Sequence, residues 1–145
     1  MLDFRHKRMP AVAGQFYPDA PDRLEADVSR YLGATLRLSR TGPLRALIVP
    51  HAGYEYSGRT AGCGYGVLRE RQGITRVVVL APAHRVLLRG ISVGDYTAFG
   101  TPLGEVRVDT AACRDLLTAS PLISARRDAH APEHSLEVQL PFLQM

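Results

Sequence analysis

His51 and His84 each follow a short apolar run and a proline, and a pair of imidazoles placed this way suits a metal site or an acid–base site. The first run is Leu44, Ala46, Leu47, Ile48 and Val49 before Pro50, and the second is Val77 to Ala81 before Pro82. Read as neighbouring parallel strands, the runs lie about 4.8 Å apart. Both rings then reach the carboxyl edge of a sheet, where open α/β folds keep their ligands. Imidazoles there suit iron, zinc or copper, although two histidines need at least one further ligand. Rings more than about 8 Å apart would rule out a shared ion, since metal–nitrogen bonds are about 2 Å long.

His134 and Glu137 form a second constellation. At i and i+3 on a helix they share a face. Glu137 could orient the imidazole, ligate a metal or act as a base, so this pair is the catalytic expectation. Glu133 is expected to point elsewhere, and His130 to be solvated in a polar loop. His6 belongs to a basic terminus and has no expected role. Two further residues frame the expected substrate pocket. Tyr54 could donate to a bound oxyanion or simply wall the pocket. Arg85, directly after His84, could bind an acidic substrate or make a surface ion pair of little energetic weight.

These side chains need a scaffold. Asp19 or Asp22 is expected to cap a first helix with Pro21 in its first turn. Leu24, Val28, Tyr31 and Leu32 form its apolar stripe. Gly42-Pro43 breaks the chain before the 44–49 strand. A helix over about 57–69 follows, rich in glycine that lets it lie close on a sheet, and a strand at 76–81 completes a right-handed βαβ unit. A strand at 91–94, a Pro/Gly loop at 99–104 and a short strand at 106–108 come next. Asp109 caps a helix to about Ala119, with Cys113, Leu116 and Leu117 on its inner side. Polar chain covers 124–133. The last segment, from His134, reads as a helix kinked near Pro141, with a strand as the alternative. It ends in an apolar element without a cap. The fold class is α/β: a three-layer open sheet, mostly parallel or mixed, with further strands expected beyond the C-terminus.

Composition narrows the class of function. The 145 residues are 46% hydrophobic and 22% charged, enough for one folded domain. No apolar run approaches the length of about 18 residues that a membrane span needs. The basic start lacks an apolar stretch behind it, so no secretory signal and a cytoplasmic location are expected. The net charge of +4 comes from scattered bases, mostly arginine, without a basic stripe interleaved with aromatics, so no nucleic-acid partner is expected. Cys63 and Cys113 form no CxxC pair and read as buried thiols.

Several stretches carry a resemblance in order along the chain. They are Ala13-Gly14-Gln15-Phe16-Tyr17-Pro18, Pro50-His51-Ala52-Gly53-Tyr54, Tyr56-Ser57-Gly58, Pro82-Ala83-His84 and Thr101-Pro102-Leu103-Gly104, followed by Glu133-His134-Ser135-Leu136-Glu137-Val138-Gln139-Leu140-Pro141. Together they make the chain resemble the first half of the Memo family, also described as the B component of the AmmeMemoRadiSam system. The resemblance implies that residues 1–145 are the N-terminal portion of a single α/β domain, similar in fold to class III extradiol dioxygenases. It further implies a metal, iron(II) or copper, held by two histidines and a later cysteine. His51 and His84 match the two histidines, and His134 matches a further pocket histidine. Two departures stand out: Ala83 replaces the serine of the usual Pro-Ser-His, and neither Cys63 nor Cys113 matches the cysteine ligand, which belongs to the family's C-terminal half.

The readings of function diverge from there. One is a redox or oxygen-handling metalloenzyme acting on a small molecule. Another is a non-catalytic module that binds a peptide or protein, as the family's mammalian member does in signalling. A third is a truncated fragment that needs its missing half or a second copy. The family's operonic company implies AMMECR1-like and radical SAM proteins as pathway partners.

Overall fold

The computed structural model describes residues 4–34, 44–69 and 71–145. The expected Gly42-Pro43 break lies outside them. The elements follow in the order β1 (His6–Arg8), α1 (Pro21–Gly33), α2 (Tyr54–Arg69), β2 (Ile91–Val93), β3 (Tyr96–Thr101), β4 (Gly104–Arg107), α3 (Thr110–Ala119), β5 (Ile123–Ala125) and α4 (Leu140–Gln144). Short 3₁₀ turns cover Arg127–Ala129 and Glu137–Gln139. The described chain is thus mixed α/β. In one sheet β3 is central, parallel to β1 and antiparallel to β4. In the other, β2 and β5 pair in parallel.

The α1 stripe behaves as its spacing dictates, with Leu24, Val28 and Leu32 buried. Its start differs from expectation. Ala20 takes the cap position with no side-chain cap, while Pro21 and Asp22 sit in the first turn. Pro21 needs no donor there, because the first amides of a helix have no intrahelical acceptor. The glycines of α2 serve two neighbours: Gly64 lies against Val49 of the 44–49 run, as expected, while Gly58 and Gly62 lie against Tyr31 of α1. A Cβ on Gly62 would lie 2.6 Å from the Tyr31 backbone carbonyl, so its bare backbone is what lets α1 approach. Tyr17, Tyr54, Val138 and Phe142 complete the core around this crossing. Gly62→Ala is expected to overpack it at a cost of about 1–3 kcal/mol, only partly offset by the ~1 kcal/mol that alanine gains over glycine in a helix. Urea unfolding should show a lower midpoint for this variant and no drop for Gly33→Ala, whose added methyl meets nothing within 4 Å.

The two runs expected as adjacent strands, 44–49 and 76–81, carry no strand assignment, so the βαβ unit built on them is not formed. Their side chains give the reason. Leu47 and Val49 pack against the core, while Ile48 between them is 102% exposed. Val78 and Leu80 are 71% and 79% exposed. An apolar strand buried on both faces needs cover on both faces, and these runs lack it.

Other differences are local. The loop expected at 99–104 is a β-hairpin: β3 runs on to Thr101, which pairs with Gly104 across Pro102 and Leu103. Gly104 has φ +116, a conformation that side chains resist, and the Thr101 hydroxyl accepts from the Leu103 amide. Asp109 caps α3 as expected, accepting from Ala112 N at 2.9 Å. However, α3 buries no residue and Leu116 is exposed, so its inner face is weaker than its stripe suggested. The segment read as polar chain holds β5 and the Arg127–Ala129 turn. The final segment is helical, with Pro141 at the start of α4, where a missing amide proton costs nothing. Among the described residues no helix is long and apolar enough to cross a membrane.

Candidate metal centre

Three chain segments converge on one point. Pro50 ends the extended run before His51, Pro82 precedes Ala83 and His84, and His134 opens the C-terminal helical stretch. The link between them is a row of polar residues on that last stretch. Ser135 Oγ donates to the Pro82 carbonyl at 2.7 Å, and Gln139 Nε2 donates to the Pro50 carbonyl at 3.2 Å. The Tyr65 hydroxyl fixes the Gln139 amide by donating to its Oε1 at 2.9 Å. Each proline carbonyl that leads into a histidine is therefore tied to the same turn, even though neither run lies in a sheet.

The result is a histidine cluster. The His51 and His84 rings lie 5.3 Å apart, well inside the limit for a shared ion. His134 stacks on His84 at 4.8 Å and lies 6.0 Å from His51. One nitrogen from each ring can be chosen so that all three fall within 4.8 Å of one another. Two nitrogens on opposite sides of one ion lie at most about 4.2 Å apart, given bonds near 2.1 Å, so a small inward rotation of the rings closes the set. Phe16 covers His134 with a ring contact of 4.5 Å.

Glu133 backs this cluster, contrary to the expectation that it points away. Its carboxylate accepts from the His84 amide at 2.5 Å and contacts His84 Nδ1 at 3.0 Å. It also accepts from the amides of His134 and Ser135 at 2.8 and 3.0 Å. Burial opposes its charge, yet these hydrogen bonds hold the carboxyl down at about 2. A carboxylate on the far nitrogen of a histidine fixes the tautomer and raises the basicity of the nitrogen facing the ion. With Nδ1 engaged, His84 is left to ligate through Nε2.

His134 Nδ1 is buried without a hydrogen-bond partner; it lies 3.2 Å from Glu133 Oε1, but out of line for a bond. An orphaned ring nitrogen beside two other imidazoles fits a cation-binding set. Burial, then the neighbouring His84, His51 and Arg85, push its pKa below the ordinary histidine value, against the pull of Glu133. The neutral form is the one a metal binds.

The remaining site residues are placed differently from their sequence reading. The Glu137 carboxylate forms no hydrogen bond with the His134 ring. It is fully buried and accepts instead from Arg8 Nη1 at 2.5 Å, the Tyr17 hydroxyl at 2.6 Å and the amides of Ala11 and Val12. Tyr54 opens α2 and turns inward, its hydroxyl donating to the Val138 carbonyl at 2.8 Å. It is a core residue there, and burial raises its phenol. Arg85 is exposed beside the cluster. His130 is partly buried, with Nε2 at 3.1 Å from Ser92 Oγ, and burial lowers its pKa. Of the residues that support the cluster, Ser135 and Gln139 were given no role from the sequence, and Glu133 was expected to point elsewhere. Their signal is polar side chains alternating through a helical segment that buries every one of them.

Comparison with known proteins places the chain in a family. The chain is 40% identical to a MEMO1 family protein of Methanopyrus kandleri, over 95% of this chain and 51% of that protein. It is 40% identical to one from Ignicoccus hospitalis, over 94% and 51% respectively. A third relative, from Thermoplasma acidophilum, is 38% identical over 95% of this chain and 50% of its own length. The chain therefore spans about half the length of the curated relatives it matches. A family model described as Memo-like protein matches residues 8–145, a span that takes in all three clustered histidines and Glu133, and the chain belongs to that family.

Proposed function

We propose that His51, His84 and His134 together bind one divalent transition-metal ion, iron(II) or copper, in the service of redox or oxygen chemistry on a small substrate. The observation that carries this reading is the approach of three imidazole nitrogens to within 4.8 Å of one another with a buried carboxylate behind one of them. Three neutral nitrogen donors suit the later first-row metals. When bound, such a metal supplies Lewis acidity and one-electron chemistry. The chain's own residues have separate duties. Glu133 orients His84 and sets its tautomer. His134 stays neutral, as a ligand or as a proton acceptor when unligated. Arg85 draws an anionic substrate toward the cluster, and Phe16 keeps water from His134. Glu137 supports this machinery from outside it. The runs 44–49 and 76–81 are proposed as inner strands of a three-layer sheet once both their faces are covered. AMMECR1-like and radical SAM proteins are proposed as pathway partners, and the setting as cytoplasmic.

A second reading is a binding module for a small molecule or peptide. A cleft of about 610 Å³ between residues 14–20 and α1 favours it, because Phe16 lines that cleft and also touches His134.

Metal analysis after anaerobic loading with iron(II) separates the two readings. Roughly one ion per chain is expected for the wild type, and its loss in His51→Ala and His84→Ala with circular dichroism unchanged. A wild type that retains no ion, or variants that retain it fully, would leave the binding module as the better account.

A further inference from the structure

Arg8 lies at the end of β1, opposite Phe99 of β3, and is 3% exposed. Its guanidinium spends its donors on one short piece of chain. Nε donates to the His130 carbonyl at 2.9 Å, and Nη2 to the carbonyls of Ala131 and Glu133 at 3.3 and 2.6 Å. Nη1 meets Glu137 Oε2 at 2.5 Å. The turn from His130 to Glu133 and the first residue of the following 3₁₀ turn are thus both registered against one rigid planar group. Between those two anchor points lie His134 and Ser135, and just beyond lies Gln139, the residues that form the cluster or hold its proline carbonyls.

We infer that Arg8 is a positioning residue for the histidine cluster, acting through the 130–133 turn and Glu137. This rests on the metal-site reading above. The physical case is geometric. Arginine offers a fixed fork of donors, and lysine offers a single rotatable point charge. An ion pair needed only to neutralise Glu137 would use one edge of the guanidinium. Here Nε and Nη2 collect three carbonyls of the turn that carries Glu133, and only Nη1 reaches elsewhere, to the neighbouring Met9 carbonyl at 3.5 Å as well as to Glu137. The sheet position of Arg8 passes through that turn to the Glu133 carboxylate, and from there to the His84 ring and amide.

The test compares Arg8→Lys with Val28→Ala, a fully buried core variant in α1. Cobalt(II) alone is the probe, with affinity and visible absorption read under conditions where circular dichroism shows each protein folded. Ring ¹⁵N shifts of His84 and His134 are recorded without metal. Arg8→Lys is expected to weaken cobalt binding about 10–100-fold, alter the absorption band and move both ring resonances, whereas Val28→Ala leaves all of these as in the wild type. If Arg8→Lys does not fold, the paired replacement Arg8→Met with Glu137→Leu removes both charges together and still leaves the turn carbonyls without their donor. It is expected to show the same losses. Wild-type affinity, spectrum and ring shifts in a folded variant would overturn the inference. A wild type that binds no cobalt would refute the metal reading, and the metal-free ring shifts would still decide the role of Arg8.

Discussion

Glu137→Ala is expected to cost about 3–5 kcal/mol of stability, a large share of the 5–15 kcal/mol typical of a folded domain. The cause is what the carboxylate leaves behind. Arg8 would remain 3% exposed with its counter-charge gone. The Tyr17 hydroxyl and the amides of Ala11 and Val12 would lose their acceptor in the interior. Buried groups stripped of a partner cost their full desolvation. Urea unfolding measures the effect. Adding Arg8→Met to Glu137→Ala should recover much of the loss, because an uncompensated buried charge is removed. A double-mutant cycle isolates that coupling. A Glu137→Ala midpoint within experimental error of wild type would show that Arg8, Tyr17 and the two amides do not depend on this carboxylate.

The second large effect concerns the site itself. Glu133→Ala should weaken cobalt(II) binding about 100-fold and Glu133→Gln about 10-fold, the range expected when the support of a ligating histidine is removed. The glutamine keeps an oxygen for the His84 amide but carries no charge for its ring. The pH dependence has a definite sign. The folded Glu133 carboxyl is held at about 2, below its ordinary 4.5. Its contribution is therefore complete above pH 4.5 and is lost progressively as the pH falls from there through about 2. His134 is also depressed, from an ordinary 6.5. The unfolded chain binds that proton first, so stability should rise as pH climbs toward 6.5 from just beneath it. Release of metal on mild acidification would thus report His134. Release delayed until the pH falls toward about 2 would report Glu133 instead. Titration by competition absorbance distinguishes the two.

Much of the site was legible in the residue types. Proline followed by histidine at the end of two apolar runs brought His51 and His84 together as anticipated, and the i, i+3 pair drew attention to the right stretch of chain. The assignment within that stretch went astray for a physical reason. Helical spacing places His134 and Glu137 on one face, but His134 lies ahead of the 3₁₀ turn that begins at Glu137, and Arg8, 129 residues away, competes for the carboxylate. No local pattern encodes so distant a partner. Glu133 is adjacent to His134 and reaches it through backbone amides, which side-chain periodicity does not describe. The fold shows the same division. The α1 stripe and the Asp109 cap depend on neighbours a few residues off, and both were readable. The strand assignments at 44–49 and 76–81 depend on cover from elsewhere, and a hydrophobic run states the need for cover without supplying it.

The uncovered side chains of Ile48, Val78 and Leu80 have a practical consequence. Whatever shields them from water, including a neighbouring molecule at high concentration, enters the folding equilibrium by mass action. Melting temperatures of this polypeptide should therefore shift with dilution, and variants are comparable only when weighed at one common molarity.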